Sequence, residues 1–99
     1  MNISRWNAAE AIIKIMKPVI IYSTRVCGYC MRAKSLLQSK HVAYTEFLVD
    51  QDPARRAEME TKSNRRTVPQ IFIGEQHVGG YHELYALDSS GGLDALLAE

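Results

Sequence analysis

The amino-acid sequence predicts an α/β fold in which helices flank a four-stranded mixed sheet, with a helical extension at the N-terminus. Short apolar, β-branched runs alternate along the chain with stretches that have helical spacing. Their order is β-α-β-α-β-β-α, which gives two parallel strands joined by a crossover helix and then an antiparallel hairpin. A chain of 99 residues suits one small domain with one core.

Residues 1–17 precede this pattern, and we interpret them as an N-terminal extension to a domain that spans residues 18–99. Ser4 can cap a helix, and the apolar residues after it have the i, i+3, i+4, i+7 spacing of an amphipathic helix. These apolar residues are Ala9, Ile12, Ile13 and Met16. We expect a short helix that packs on the domain; a transit peptide is less consistent with a single arginine and an acidic residue. Met16 is also an alternative start of the chain.

A pair of cysteines, Cys27 and Cys30, lies between the first predicted strand and the first predicted helix, and we expect Gly28 and Tyr29 to form a turn between them. Val19–Tyr22 is typical of a buried strand, and residues 31–40 have helical spacing. The free N–H groups and partial positive charge at a helix N-terminus stabilise a thiolate, so a thiol there ionises more readily than free cysteine, whose pKa is roughly 8.5. The two-residue spacing lets the second thiol close a reversible disulfide. The motif therefore predicts a redox pair.

A second strand and a second helix follow the cysteine motif. Val42–Val49 is partly alternating and β-branched, which suits a strand. Asp52 fits an N-cap with Pro53 at the first helical position, so a helix should run from there to about Lys62.

A hairpin and two short helices complete the chain. Residues 70–73 and a short strand ending at Gly79-Gly80 form the hairpin, with the turn between them at residues 74–77. Pro69 is expected at the first residue of its strand, where the missing N–H is tolerated. The two helices cover residues 81–87 and 93–98.

Composition excludes several other classes of function. The net charge is +1 and the basic residues are scattered, so nothing favours nucleic-acid binding. No apolar run is long enough to span a bilayer, and no signal peptide is recognisable. The two cysteines of the motif are the only ones, which disfavours a disulfide-stapled secreted scaffold and favours a reducing, cytoplasmic compartment. His41, His77 and His82 do not complete a zinc site, because no second C-x-x-C is present.

Four features together resemble a dithiol glutaredoxin, a family with a thioredoxin-like fold. They are Cys27-Gly28-Tyr29-Cys30 after a strand, Thr67-Val68-Pro69, Gly79-Gly80, and the helix that contains Leu84. The resemblance covers Pro18 to Leu97. It implies thiol–disulfide exchange with glutathione as co-substrate, acting on glutathionylated or disulfide-containing proteins. Glutathione reductase and NADPH would supply electrons indirectly, and we expect a monomer.

The resemblance also implies roles for individual residues. Cys27, nearer the surface, is expected to be the nucleophile, and Cys30 the resolving thiol. A cis Val68–Pro69 bond would present the Val68 backbone to an extended tripeptide as a strand edge does. Free N–H groups at the start of the following helix would hold the γ-glutamyl carboxylate. The expected glutathione contacts are Arg25, Tyr29, Thr67, Val68, Pro69, Gly80, His82 and Glu83.

The chain departs from the family pattern at two positions. Thr24 stands where the family often has a lysine near the glycyl carboxylate of glutathione, so Arg25, Arg65 or Arg66 would have to supply that charge. Glu83 stands where the family usually has a shorter acid that meets the amino group of the ligand.

Two alternative functions stay open at this point. A thioredoxin-type general disulfide reductase usually has Trp before the first cysteine and Gly-Pro between the two, unlike Val26 and Gly28-Tyr29 here. An iron–sulfur carrier would hold a [2Fe-2S] cluster at a dimer interface through Cys27 and glutathione, and the small Gly28 keeps that alternative open.

Overall fold

The computed structural model describes residues 16–98 and confirms the predicted α/β fold. The strands are β1 (Val19–Ser23), β2 (Thr45–Leu48), β3 (Gln70–Ile73) and β4 (Gln76–Gly79). The helices are α1 (Gly28–Ser39), α2 (Pro53–Ser63), α3 (Tyr81–Ser89) and α4 (Gly92–Leu97). The strands form a single sheet in the order β2-β1-β3-β4, with helices on both faces. None of these helices is long and apolar enough to cross a membrane.

The sheet combines parallel and antiparallel pairing, as the order of the elements predicts. β1 is parallel to β2, with Ile20 opposite Thr45, and antiparallel to β3, with Ile21 opposite Ile71. β3 pairs with β4 in the predicted hairpin. Because α1 is the crossover between two parallel strands, it starts beside the carboxyl end of β1. The cysteine motif therefore lies at that edge of the sheet.

Side chains of the strands alternate between two apolar clusters, because successive residues of a strand point to opposite faces. Ile21 belongs to the larger cluster, which packs the sheet against α1, α3 and α4. Its neighbour Tyr22 belongs to the smaller cluster, which packs the sheet against α2. The larger cluster consists of Val19, Ile21, Ala33, Leu37, Val42, Ile71, Ile73, Leu84, Leu93 and Leu97. The smaller cluster consists of Tyr22, Val49, Met59 and Phe72.

Two polar bridges tie helices to the sheet beside these clusters. The Tyr22 hydroxyl donates to the Glu58 carboxylate of α2, and burial together with this acceptor raises the pKa of Tyr22. At the end of β1, the Ser23 hydroxyl donates to the Glu46 carboxylate, which also accepts from Lys34 Nζ of α1 at 2.8 Å. The second bridge joins β1, β2 and α1 close to the cysteine motif.

Helix α1 begins at Gly28, earlier than the predicted start near Met31. Cys27 has an extended backbone (φ −156°, ψ 107°) and acts as the N-cap, because its sulfur accepts the backbone N–H of Cys30. Gly28 and Tyr29, which we expected to be turn residues, therefore belong to the first helical turn.

Several other predicted boundaries are wrong by a few residues. The second strand begins at Thr45, not at Val42, because the Val42 N–H bonds to the Leu37 carbonyl at 3.0 Å and closes the end of α1. β3 begins at Gln70, so Pro69 belongs to the preceding turn and not to the strand. His77, expected in the hairpin turn, lies within β4. The final helix ends at Leu97, one residue before its predicted end.

The predicted N-terminal helix falls mostly outside the described residues. Met16, its last predicted apolar position, is not helical but forms an antiparallel bridge with Ala98. The Lys17 N–H donates to the Leu97 carbonyl at 2.9 Å, and the Pro18 carbonyl accepts the Gly74 N–H at 2.8 Å. These contacts tie the start of the domain to its C-terminal end and to the hairpin.

The start of α2 confirms the predicted cap. Asp52 is the N-cap, and its Oδ1 accepts the backbone N–H groups of Ala54 at 3.1 Å and Arg55 at 3.2 Å. Pro53 occupies the first helical position, where a backbone N–H would have no intrahelical acceptor, so its absence in proline removes no hydrogen bond from the helix. The helix ends at Ser63 and is followed by the C-cap residue Asn64, whose left-handed backbone (φ 60°) stops the helix.

The Asp52 cap yields a prediction about stability. Replacing Asp52 with alanine removes the acceptor for two N–H groups, and we expect the free energy of unfolding to fall by about 1 kcal/mol. Asp52→Asn is the matched control, since asparagine caps as well as aspartate, and it should stay close to wild type. Urea unfolding of the three proteins measures the difference. Equal stability of the alanine variant and the wild type would contradict the assigned cap.

Candidate active site

The two cysteines form a disulfide at the opening of α1, with their Cα atoms 5.2 Å apart. Cys27 is half-buried, whereas Cys30 is 0% exposed and belongs to the apolar interior. The Cys27 sulfur accepts the Cys30 N–H at 3.1 Å, which is the contact that an anionic sulfur at this position would use. The difference in burial makes Cys27 the more accessible of the two, so an external disulfide can reach Cys27 more readily than Cys30.

The turn before β3 lies next to Cys27. The Val68–Pro69 peptide bond is cis, as the resemblance implies. The Val68 carbonyl oxygen lies 4.0 Å from the Cys27 sulfur. Pro69 is buried and Thr67 is exposed, so the turn is anchored on one side and open on the other. The antiparallel pairing of β1 with β3 explains this proximity, since it places the start of β3 beside the end of β1.

A groove of about 170 Å³ runs from this turn to the start of α3. Of the expected glutathione contacts, the residues that line it are Tyr29, Thr67, Val68, Pro69, Gly80, His82 and Glu83. Arg25 is not among the lining residues. The lining also includes Arg65, which the sequence offered as an alternative to Arg25, and two unexpected residues, Gln70 and Tyr81.

The start of α3 forms the polar end of the groove. Glu83 Oε1 accepts the Gly80 N–H at 2.6 Å, and Glu83 Oε2 lies 3.5 Å from Arg65 Nη1. The Gly80 N–H, helped by Arg65, holds the pKa of Glu83 below its usual range despite some burial. Gly79 has φ +121°, and an added Cβ would lie 2.7 Å from Glu83 Oε1, so glycine is required there. Glu83 therefore caps its own helix as an anion.

Aromatic rings form one wall of the groove. Tyr29 of α1 stacks on Tyr81 of α3, with ring centroids 6.0 Å apart, and lies 5.1 Å from the His82 ring. Tyr29 remains 48% exposed, so it packs on α3 and also presents a surface to the groove. The contact joins the N-termini of the two helices.

The two arginines beside the motif have different surroundings. Arg25 Nε donates to Asp50 Oδ2 at 3.0 Å, and this hydrogen bond lowers the pKa of Asp50. The charge of Arg25 is thus paired with that of Asp50, which lies just after β2. Arg65 lines the groove and is the cation that faces the start of α3. The structure brings Arg65 to the groove, and it does not bring Arg25 there.

Sequence reasoning missed Gln70 and Tyr81. Gln70 is 1% exposed and is a polar residue at the start of an apolar strand, which is the signal that could have identified it. Tyr81 follows Gly79-Gly80 directly and was predicted only as the first residue of a helix. Gln70 lies at the groove because it follows the cis turn and bonds to Thr67, whereas Tyr81 lies there because α3 packs beside Tyr29 of α1.

Comparisons with known proteins agree on one family. The family model described as glutaredoxin matches residues 19–78. Glutaredoxin 3 of Escherichia coli (strain K12) is 55% identical over 82 residues, which cover 83% of this chain and 99% of that protein.

Two solved structures share the thioredoxin-like fold of this chain. The solution structure of a glutaredoxin from Brucella melitensis has a TM-score of 0.75 and 50% identity, and the match covers 85% of this chain and 91% of that one. The crystal structure of a buckwheat glutaredoxin–glutathione complex has a TM-score of 0.75 and 30% identity, with 91% and 83% covered. The chain therefore belongs to the glutaredoxin family of thiol–disulfide oxidoreductases.

Proposed function

We propose that this protein is a glutathione-dependent reductase of glutathione mixed disulfides and protein disulfides. The observation that carries the proposal is the half-buried Cys27 at the N-cap of α1, beside a groove built from the cis turn and the start of α3. That groove offers backbone groups, an aromatic wall and one cation, which suits an extended, anionic tripeptide. The solved relative from buckwheat is a complex with glutathione.

Deglutathionylation needs only Cys27. Its thiolate attacks the glutathione sulfur of a mixed disulfide, so a Cys27–glutathione disulfide forms and the protein thiolate leaves and takes up a proton. The thiolate of a second glutathione attacks the bound glutathione sulfur, and this step releases oxidised glutathione and the Cys27 thiolate. The backbone of Val68 and the first-turn N–H groups of α3 would hold the tripeptide during both steps.

Reduction of a protein disulfide uses both cysteines. Cys27 attacks one sulfur of the partner, which leaves a mixed disulfide between the partner and Cys27. Cys30 lies within reach and attacks the Cys27 sulfur, so the partner thiolate is released and the internal disulfide forms. Glutathione then reduces that disulfide in two exchange steps, with glutathione reductase and NADPH restoring the glutathione. A reducing cytoplasm is the compartment that fits this cycle.

A second candidate function is that of an iron–sulfur carrier. Cys27 is the accessible thiol that could ligate a bridging [2Fe-2S] cluster, and Gly28 leaves the space open because an added Cβ there would meet no atom within 4 Å. We rank this function second, since no group of three metal-ligating side chains exists among residues 16–98, and the other cluster ligands would have to come from a second copy of the chain and from glutathione. A brown colour after anaerobic purification distinguishes the carrier. The thioredoxin-type alternative loses its support, because the chain belongs to the glutaredoxin family.

The first prediction of this proposal concerns the two thiols. Cys27→Ser should abolish both deglutathionylation and protein-disulfide reduction, because no other thiol is accessible among the described residues. Cys30→Ser should retain deglutathionylation, or raise it by removing the competing internal disulfide, and should weaken protein-disulfide reduction. Coupled assays with glutathione reductase and NADPH measure each variant on both kinds of substrate. Loss of deglutathionylation in Cys30→Ser but not in Cys27→Ser would reverse the roles.

The second prediction separates the two arginines. Arg65→Gln should raise the KM for a glutathione mixed disulfide by about twofold to fivefold, as expected for an exposed charge that contributes up to about 1 kcal/mol. Arg25→Gln is the matched control and should leave this KM unchanged, because Arg25 pairs with Asp50 outside the groove. The reverse pattern would show that Arg25, not Arg65, serves the ligand carboxylate.

A further inference from the structure

A chain of hydrogen bonds lies behind the cis turn and is not used by the cysteine chemistry. Gln70 is the first residue of β3, and its side chain is buried at 1% exposure. Gln70 Nε2 donates to the Thr67 carbonyl at 3.0 Å and to Thr67 Oγ1 at 3.2 Å. At the other end, Gln70 Oε1 lies 2.7 Å from His77 Nε2 of β4. One buried amide therefore connects a histidine of the hairpin to a threonine of the groove.

The donor and acceptor of each hydrogen bond in this series can be assigned from the groups that take part. A backbone carbonyl can only accept, so the amide atom beside the Thr67 carbonyl must be the Gln70 nitrogen. The amide oxygen then faces His77 and can only accept, so His77 Nε2 must carry a hydrogen. Burial, with Arg65 nearby, lowers the pKa of His77, which favours the neutral ring with its single hydrogen on Nε2.

The Thr67 hydroxyl is the last group in this series of hydrogen bonds. Its oxygen accepts from Gln70, so its own hydrogen remains for a different acceptor. Within residues 16–98 this hydroxyl donates no hydrogen bond to another protein group. Thr67 is exposed and lines the groove, where an oxygen of a bound peptide can accept that hydrogen.

We infer that Gln70 and His77 are positioning residues that hold the Thr67 hydroxyl as a hydrogen-bond donor toward an oxygen of bound glutathione. The donors all point one way, from His77 through Gln70 and Thr67 to the ligand. The inference rests on the proposed function, because glutathione is the ligand that the groove is proposed to take. It assigns a role in ligand binding to a buried side chain and to a residue of β4.

The test is a double-mutant cycle in the coupled assay, with the mixed disulfide of glutathione and 2-mercaptoethanol as the substrate. Gln70→Met keeps the volume of the side chain but cannot donate. We expect it to raise KM by about threefold to tenfold, the loss of one hydrogen bond, while kcat stays within about twofold. In a Thr67→Val background the same Gln70→Met change should alter KM by less than about twofold, because the hydroxyl that it orients is absent.

The opposite outcomes overturn the inference. If Gln70→Met raises KM equally in both backgrounds, or lowers kcat without changing KM, then Gln70 does not act through the Thr67 hydroxyl. If Gln70→Met does not fold, His77→Phe replaces it in the cycle, because Phe preserves the ring contact with Phe72 (4.9 Å between centroids) and removes the donor to Gln70. A wild-type protein without saturable activity on this substrate would instead overturn the proposed function.

Discussion

The N-cap of α1 is the contact on which the active site depends. Cys27 ends the loop after β1 with an extended backbone, and its sulfur takes the N–H of Cys30. This one contact starts the helix, places one sulfur at the surface and the other in the interior, and sets the first sulfur against the N–H groups and positive end of α1. A serine or aspartate cap would start the same helix but could not exchange disulfides. The Cys27 sulfur is therefore both the cap of the helix and the atom that exchanges disulfides.

The rest of the domain keeps two other segments beside that atom. The central strand β1 pairs with β3, which places the cis turn against Cys27, and the larger apolar cluster packs α3 against α1, which brings the start of α3 to the far side of the groove. The Tyr29–Tyr81 stack closes the space between the two helices. Tertiary packing around the cap therefore forms the groove. Tyr29 is the residue of the cysteine motif that lines it, and the other lining residues come from the segment around the cis turn and from the start of α3.

Features that depend on neighbours in the chain could be predicted from the sequence, and features that depend on distant partners could not. The Asp52 cap followed by Pro53 is local chemistry, and it was predicted correctly. The start of α1 was misplaced because cysteine is not a usual cap, so Gly28 and Tyr29 were expected to be a turn. Arg25 was expected in the groove, since nothing in the sequence shows that it meets Asp50 across the fold. Gln70 was missed for a different reason: its partners Thr67 and His77 are near it in sequence, but only the cis turn and the folded hairpin bring their side chains into contact with it.

The difference between the two thiols is the central claim, and their pKa values in the reduced protein test it most directly. The pH dependence of alkylation by iodoacetamide, measured on Cys30→Ser and Cys27→Ser separately, reports each thiol in turn. The N-cap position predicts that the pKa of Cys27 lies clearly below that of free cysteine, roughly 8.5, and that the pKa of the buried Cys30 lies at or above it. A Cys27 pKa equal to that of free cysteine, or a Cys30 pKa below that of Cys27, would contradict the account.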